Sequence, residues 1–428
     1  MIASIYDAFL RCNQQITTDS RNICKNDIFF ALKGPNFNGN LYANKALTLG
    51  ASFAVIDEKK YFIKGKTFLV DDVLKCLQDL ALLHRKKFNI PVIGITGTNG
   101  KTTSKELIGA VLKSKYRLLI TTGNLNNHIG VPLTLLKLQK IHQIAVIEMG
   151  ASKIGDIKEL VEITLPNYGI ITNIGKAHLE GFGSVENIRK TKFELYNYII
   201  ETKGSIVVNN ADKILTDHIP KDIKKYTYGS KKSDVSGLII KENPYLELKV
   251  FYNTKTVEFS TNLIGSYNLN NLLAAFRFGE IFDIGIKKIA NSITNYKPSN
   301  NRSQLIKTQN NKIIADCYNA NPTSTKEALI SFKNINHSKK LIVLGDMLEL
   351  GSEEKAEHQL IVDYLKGLSI NTLLVGKCYQ KTKNDFRCFD NTTQLLDFLK
   401  LEHLEDYYIL LKGSRGIQLE KVIQNKII

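Results

Sequence analysis

Short apolar runs closed by glycine or asparagine recur along the chain, separated by stretches whose apolar residues fall three and four places apart. In the first ninety residues NDIFFAL (26–32) and SFAVID (52–57) read as strands. LYANKALTLGA (41–51) reads as a helix with a glycine stop. A new unit opens at Pro91 with VIGITG (92–97). It is followed by SKELIGAVL (104–112), where Leu107, Ile108, Val111 and Leu112 form one helical face. IAVIEMG (144–150), YGIITNIG (168–175) and GSIVVNN (204–210) repeat the strand theme, alternating with helical stretches. That rhythm predicts an α/β chain with mostly parallel sheets. The polar, proline-bearing NYKPSNNRSQ (295–304) reads as a junction. Beyond it KIIADCYN, KKLIVLGDM, INTLLVG and YYILLKGSRG are again strands between helices. The pattern therefore predicts three α/β domains, at residues 1–90, 91–297 and 298–428.

A chain of 428 residues is long enough for two or three separate cores, and 43% hydrophobic with 23% charged residues is an ordinary globular balance. No apolar run approaches the ~20 residues needed to cross a bilayer, so membrane insertion is not expected. The opening MIASIYDAFLRC lacks the plan of a secretory signal. Six scattered cysteines without a C-x-x-C pair speak against disulfides or a zinc cluster and for a reducing cytoplasm. The formal charge of +17 could attract nucleic acid, but the lysines are dispersed as pairs with no basic ribbon. A small polyanionic substrate would feel the same field. The sequence does not disclose an oligomeric state, and a monomer is the favoured expectation.

The chemistry starts at GITGTNGKTT (94–103). The segment fails the strict G-x-x-x-x-G-K-[ST] form because Ile95 stands where a glycine should, yet strand, glycine turn, Lys-Thr and amphipathic helix are all in place. Backbone N–H groups across Gly97, Thr98, Asn99 and Gly100 can cradle phosphate at the helix start, with Thr103 just inside it. Lys101 would reach the β- and γ-phosphates, and the Thr102 hydroxyl would serve Mg²⁺. Glu148, ending a buried strand, is either a second oxygen ligand or an ordinary strand-end acid. His178, in the glycine-flanked NIGKAHLEGFGS, is either a ligand or a loop histidine. Lys192 in NIRKTKFELYNYI reads, by pattern alone, as a surface lysine.

Taken together, TGTNGKTT resembles the ATP loop of the Mur ligase family, whose form is G-x-x-G-K-[ST]; Gly97 and Gly100 do the turning. TTDSRNICKNDIFFALKGPNFNGNLYANKALTLGA (17–51), TTGNLNNHIGVPLTLL (121–136), EMGASKIGDI (148–157), TNIGKAHLEGFGS (172–184), DCYNANPTS (316–324), VLGDMLELG (343–351) and LLKGSRG (410–416) follow in the family's order. The resemblance covers nearly the whole chain. It is strongest to the branch that adds D-alanyl-D-alanine to UDP-N-acetylmuramoyl-tripeptide in peptidoglycan synthesis. It implies a central ATPase-type, mostly parallel sheet between an N-terminal UDP-binding module and a C-terminal Rossmann-like domain that closes over ATP. The implied activity is an ATP-dependent carboxylate–amine ligation through an acyl phosphate.

The resemblance also implies roles. Lys101, His178, Lys192 and Arg302 would be catalytic. Thr102, Glu148 and His178 would hold Mg²⁺, joined by Lys192 if carbamylated. Asn268, Asn271, Arg302 and Asp316 would contact ATP. Ser20, Arg21, Asn126, Asn127, Asn319, Asn321, Lys412, Ser414 and Arg415 would face the muramoyl and dipeptide substrates. Two positions depart from the family pattern: Tyr267 replaces a histidine in GSYNLNN, and Asn301 replaces a glycine before Arg302. Both bear on the packing of the adenine. Other readings are a sister ligase adding a single amino acid, a folylpolyglutamate synthase-like ligase, and a basic nucleic-acid-stimulated ATPase. YNANP and GDMLELG weigh against the first two.

Overall fold

The computed structural model describes residues 1–299 and 301–425. The apolar runs become the strands of three separate sheets beside one small hairpin. In the first, Ile16–Thr17, Ile28–Phe30, Phe53–Ile56 and Thr67–Leu69 pair in parallel in that order. The helix read in residues 41–51 is split in two. A 3₁₀ turn, Gly39–Tyr42, leads into the α-helix Ala43–Thr48, and Gly50, at φ 119°, ends it.

The second sheet has nine strands. Its order is Leu118–Ile120, Ile144–Glu148, Val92–Thr96, Tyr168–Ile171, Ser205–Asn209, Lys224–Gly229, Val235–Glu242, Tyr245–Tyr252 and Lys255–Ile264. The first seven run parallel and the last two pairings are antiparallel. Helices cover both faces of the parallel part, which is why its strands are continuous apolar runs. Lys101–Lys113 and Leu269–Ile281 pack one face through Leu107, Val111, Leu272 and Phe276. Asp156–Thr164 and Val185–Glu201 pack the other through Leu160 and Leu195. The strand order reverses at Val92–Thr96, so a crevice opens beyond its carboxyl end, flanked by Glu148 on one side and residue 172 on the other.

The third sheet runs Gln304–Lys307, Lys312–Asp316, Tyr408–Lys412, Lys340–Gly345, Asn371–Val375 and Arg387–Phe389, with only the first pair antiparallel. The junction read at 295–304 lies between the helix Ile286–Asn295 and this sheet; its Asn300 is outside the described residues. One apolar cluster joins the first sheet's layer to the second, with Phe9, Leu77 and Leu80 among Leu135, Leu138 and Leu160. A second joins the third layer to the central one through Leu179, Phe182 and Ile188, packed with Leu344, Met347 and Leu350. No described helix is long and apolar enough to cross a membrane.

Candidate active site

The strand Val92–Thr96 releases the chain into a loop that only glycine can make at two points. Gly97 has φ 143°, and a Cβ there would lie 2.0 Å from Thr172 Oγ1. Gly100 has φ 77°, and a Cβ there would meet Asn271 Oδ1 at 2.6 Å. The loop is stitched to the neighbouring strand end. Thr98 N–H donates to Asn173 O (3.0 Å), Asn99 N–H donates to Asn173 Oδ1 (2.9 Å), and Thr172 Oγ1 donates to Asn99 O (2.6 Å). Two of the amides expected to cradle phosphate are thus already engaged by Asn173. The donors for an anion fall instead on the first turn of Lys101–Lys113, which has no side-chain cap.

Lys101 Nζ donates to Gly97 O (2.7 Å) and Thr98 O (3.0 Å). Burial lowers its pKa to about 8, opposed by Glu148 and reinforced by Arg302. Thr102 Oγ1 donates to Glu148 Oε1 at 3.1 Å, and Asn126 Nδ2 donates to the same oxygen at 2.7 Å. The other oxygen, Glu148 Oε2, is buried without a hydrogen-bond partner among the described residues. Lys105, wholly buried one turn beyond Lys101, stands 3.8 Å from Oε2 while donating to Thr121 O (2.8 Å) and Gly123 O (3.4 Å). The Thr102 hydroxyl and the Glu148 carboxylate, side by side through Oε1, form an oxygen donor set that fits a small hard cation such as Mg²⁺.

Lys192, far from being a surface lysine, is 3% exposed. Its helix Val185–Glu201 turns it inward under the short helix Leu179–Phe182, with Nζ 5.8 Å from the Phe182 ring centre. Burial, aided by the charge of Lys101, lowers its pKa to about 7 against the pull of Asp156 and Glu194. An amine that is substantially neutral near neutral pH is nucleophilic toward carbon dioxide. His178, at φ 51°, caps the same short helix, and its Nδ1 lies 2.5 Å from Glu349 Oε2 of the third unit.

The third unit meets the loop directly. Asn321 Nδ2 donates to Asn99 Oδ1 at 2.7 Å, while Asn321 also caps the helix Pro322–Lys333 through Ser324 N–H (2.9 Å). Arg302 sits over Tyr318, its Cζ 3.6 Å from the ring centre, with Arg415 at 5.7 Å. Lys412 Nζ donates to Asp316 Oδ2 at 2.7 Å and reaches Asn319 O at 3.3 Å. Asn268 and Asn271 bond to one another (2.9 Å), and Ser104 Oγ donates to Asn271 Oδ1 (3.0 Å) behind Gly100. Tyr267 OH meets Ser303 Oγ at 2.8 Å, placing the departure from the family histidine at the junction of two units.

These groups enclose a cleft of about 850 Å³ that gathers Thr98 to Thr103, Asn126, Asn127, Glu148, His178, Asn268, Asn271, Arg302, Asp316, Asn319, Asn321 and Lys412. Asn127 also accepts from Ile129 and Gly130 N–H, a local turn. Other residues singled out in the sequence, Gly97 and Lys192 among them, do not line this cleft. Ser20 is buried in the first unit. Arg21 is exposed and forked onto Asp19 (2.8 and 2.9 Å). Ser414 is buried beneath Leu348 N–H. Arg415 lines a neighbouring cavity of about 340 Å³ with Arg302 and Tyr318. Sequence reasoning missed Lys105, Asn173, Tyr318 and Glu349. Each falls inside or beside a motif already noted, but only the fold shows what it touches.

Comparison with known proteins follows the same outline. Residues 95–279 match the Mur ligase middle domain, and residues 301–415 match the Mur ligase glutamate ligase domain. The UDP-N-acetylmuramoyl-tripeptide–D-alanyl-D-alanine ligase of Bacillus subtilis is 33% identical over 430 residues, covering 96% of this chain and 93% of that protein. A crystal structure of MurF from Acinetobacter baumannii superposes with TM-score 0.86 at 29% identity, over 96% of this chain and 93% of that one. MurF of Thermotoga maritima, in complex with ADP, gives 0.87 at 25% identity over 97% of both chains.

Proposed function

The chain belongs to the Mur ligase family, and from that premise we propose that it joins D-alanyl-D-alanine to UDP-N-acetylmuramoyl-tripeptide while converting ATP to ADP and phosphate. The observation that carries this reading is the convergence, in one cleft, of the phosphate loop, the carboxylate of Glu148 and the Asp316–Lys412 end of the third sheet. In the proposed division, residues 1–90 take the uridine end through Ser20 and Arg21. Residues 91–297 hold ATP. Residues 298–428 close over it and bring the dipeptide past Asn319, Asn321, Lys412, Ser414 and Arg415. Asn126 and Asn127 face the muramoyl peptide. Six free cysteines and a nucleotide-linked substrate accord with work in the cytoplasm.

A carboxylate is a poor electrophile, so the tripeptide's terminal carboxylate oxygen attacks the γ-phosphorus of ATP and ADP leaves. The amine of D-alanyl-D-alanine then attacks the acyl carbon, the tetrahedral adduct expels phosphate, and the nitrogen sheds its extra proton. Both steps crowd anions together. Lys101 and the first turn of its helix bind the β- and γ-phosphates. Arg302, its Cζ 3.6 Å above the Tyr318 ring centre, would present a guanidinium to the transferred group, and Asp316 would serve the ribose. Thr102 and Glu148 would hold one Mg²⁺, and His178 with carbamylated Lys192 a second; the bound ions supply positive charge that offsets this repulsion. Carbamylation accords with the site: as an ammonium, Lys192 is buried and repelled by Lys101, and as a carbamate it would be attracted. Closure of the third unit, as in the Asn99–Asn321 pair, keeps water from the acyl phosphate.

The test is phosphate release from ATP and Mg²⁺ with UDP-N-acetylmuramoyl-tripeptide, with and without D-alanyl-D-alanine. Release that needs both acceptor and dipeptide, with a pentapeptide product by mass, is the expected result. Release driven instead by a single amino acid, a folate or nucleic acid would replace the reading.

A further inference from the structure

Three contacts tie the loop that carries His178 to the third unit. His178 Nδ1 lies 2.5 Å from Glu349 Oε2, Glu180 N–H donates to Glu349 O at 3.2 Å, and Lys176 Nζ pairs with Glu357 at 2.6 Å. Apolar packing seals the same place, with Leu350 against Leu179 and Phe182. Both residues of the first contact sit in the left-handed backbone region, His178 at φ 51° and Glu349 at φ 66°. Neither has glycine's freedom there, and strain of this kind on two facing residues persists only where the surroundings hold it.

A carboxylate accepts at this distance, so Nδ1 carries a proton, and in the neutral ring Nε2 keeps the lone pair. That is the tautomer a histidine needs in order to bind a metal through Nε2. The helix Leu179–Phe182, which His178 caps, also roofs Lys192. We propose that Glu349 is a positioning residue: when the third unit closes, it fixes the His178 ring through Nδ1, aims Nε2 at the second cation position, and so makes assembly of that position depend on closure. The proposal rests on His178 serving as the ligand for a second Mg²⁺.

The test uses the full-length chain with a non-hydrolysable ATP analogue and Mn²⁺ as the probe, titrated by electron paramagnetic resonance. Wild type is expected to bind two Mn²⁺. Glu349→Gln should weaken the second by about 10- to 100-fold and leave the first unchanged. Glu349→Asp should restore part of the loss. Glu349→Gln should add little in a His178→Ala background, as expected for two residues acting through one contact. Lys176→Ala, which breaks the adjacent ion pair without touching His178, should bind both ions as wild type does. Glu349 is half-exposed, so its variants are expected to fold, and a melting curve checks that. Two ions bound equally well by wild type and Glu349→Gln would overturn the positioning role alone. Equal weakening by Lys176→Ala would overturn it too, in favour of a merely looser interface. A wild type that binds a single Mn²⁺ would instead remove the second-metal reading, and this proposal with it.

Discussion

Lys101 spends its hydrogen bonds on carbonyls of its own loop, Gly97 and Thr98, and anchors nothing distant. Replacing it with alanine should therefore leave the melting temperature nearly unchanged while ligation falls by at least about 100-fold, the scale of losing one charge-stabilising donor. A Lys101→Ala enzyme with more than a tenth of wild-type turnover would remove the phosphate-loop assignment. Lys192 presents the opposite case. Lys192→Ala removes the group proposed to become a carbamate, and added formate or acetate should restore part of the activity. A fully active variant indifferent to carboxylates would dispose of the carbamate. The two lysines also divide what the sequence discloses. Lys101 is legible because a phosphate loop is local, its glycines, lysine and threonine lying within a few residues. Lys192 reads as surface because it shares a helix with exposed Arg189 and Lys190, and only the fold shows that it is buried, near Phe182 of the preceding short helix. Glu349 was hidden for the same reason, since its partner lies on another unit.

At the level of elements, legibility followed burial. Strands covered on both faces, such as Ile144–Glu148 and Ser205–Asn209, are unbroken apolar words and were read from the chain. The antiparallel strands Val235–Glu242, Tyr245–Tyr252 and Lys255–Ile264 were not. They bury one face only, leaving Leu238 and Ile240 exposed, and their alternation is diluted by lysine and glutamate. Glycine turns allow a sharper test of how the elements hold the site. Gly65 and Gly97 both have positive φ, at 75° and 143°, but a Cβ at Gly65 would meet nothing within 4 Å. Gly65→Ala should thus lose only the backbone strain, about 1–2 kcal/mol. Gly97→Ala adds a collision with Thr172, which bridges to the Asn99 carbonyl, so it should lose more stability and also lose ATP binding. Chemical denaturation and nucleotide titration of the pair would decide it. Equal stability with intact ATP binding would mean that the loop does not need the geometry described.

Across the whole molecule the two outer units are attached differently. The first unit shares one apolar cluster with the central sheet's helices, so the two should unfold together, whereas the third is joined through the apolar contact of Leu179, Phe182 and Ile188 together with polar pairs. His84 sits at the first of these joints. Its Nε2 bonds to Leu138 O at 3.0 Å, its Nδ1 meets Tyr6 OH at 3.1 Å, and it is 1% exposed. The carbonyl only accepts, so Nε2 bears the proton and Nδ1 takes the tyrosine's hydrogen bond, which leaves the neutral ring fully satisfied. Burial holds its pKa below the ordinary 6.5, against a smaller upward pull from the Leu138 carbonyl. The unfolded chain therefore binds a proton in a pH range where the folded chain does not. Stability from this residue is whole above about pH 6.5 and declines as pH falls toward the lower folded value. One proton accounts for at most about 1.4 kcal/mol per pH unit. His142, His218 and His358 are shifted the same way by burial, so the informative quantity is a difference between proteins. Urea denaturation at pH 7.5 and pH 5.5 should show wild type losing more stability on acidification than His84→Gln, whose amide can still donate to Leu138. The transition should remain common to the first and central units in both proteins. If His84→Gln loses as much as wild type, His84 is not a source of the acid sensitivity. If the first unit melts separately at pH 7.5, the shared cluster does not make one body of the two.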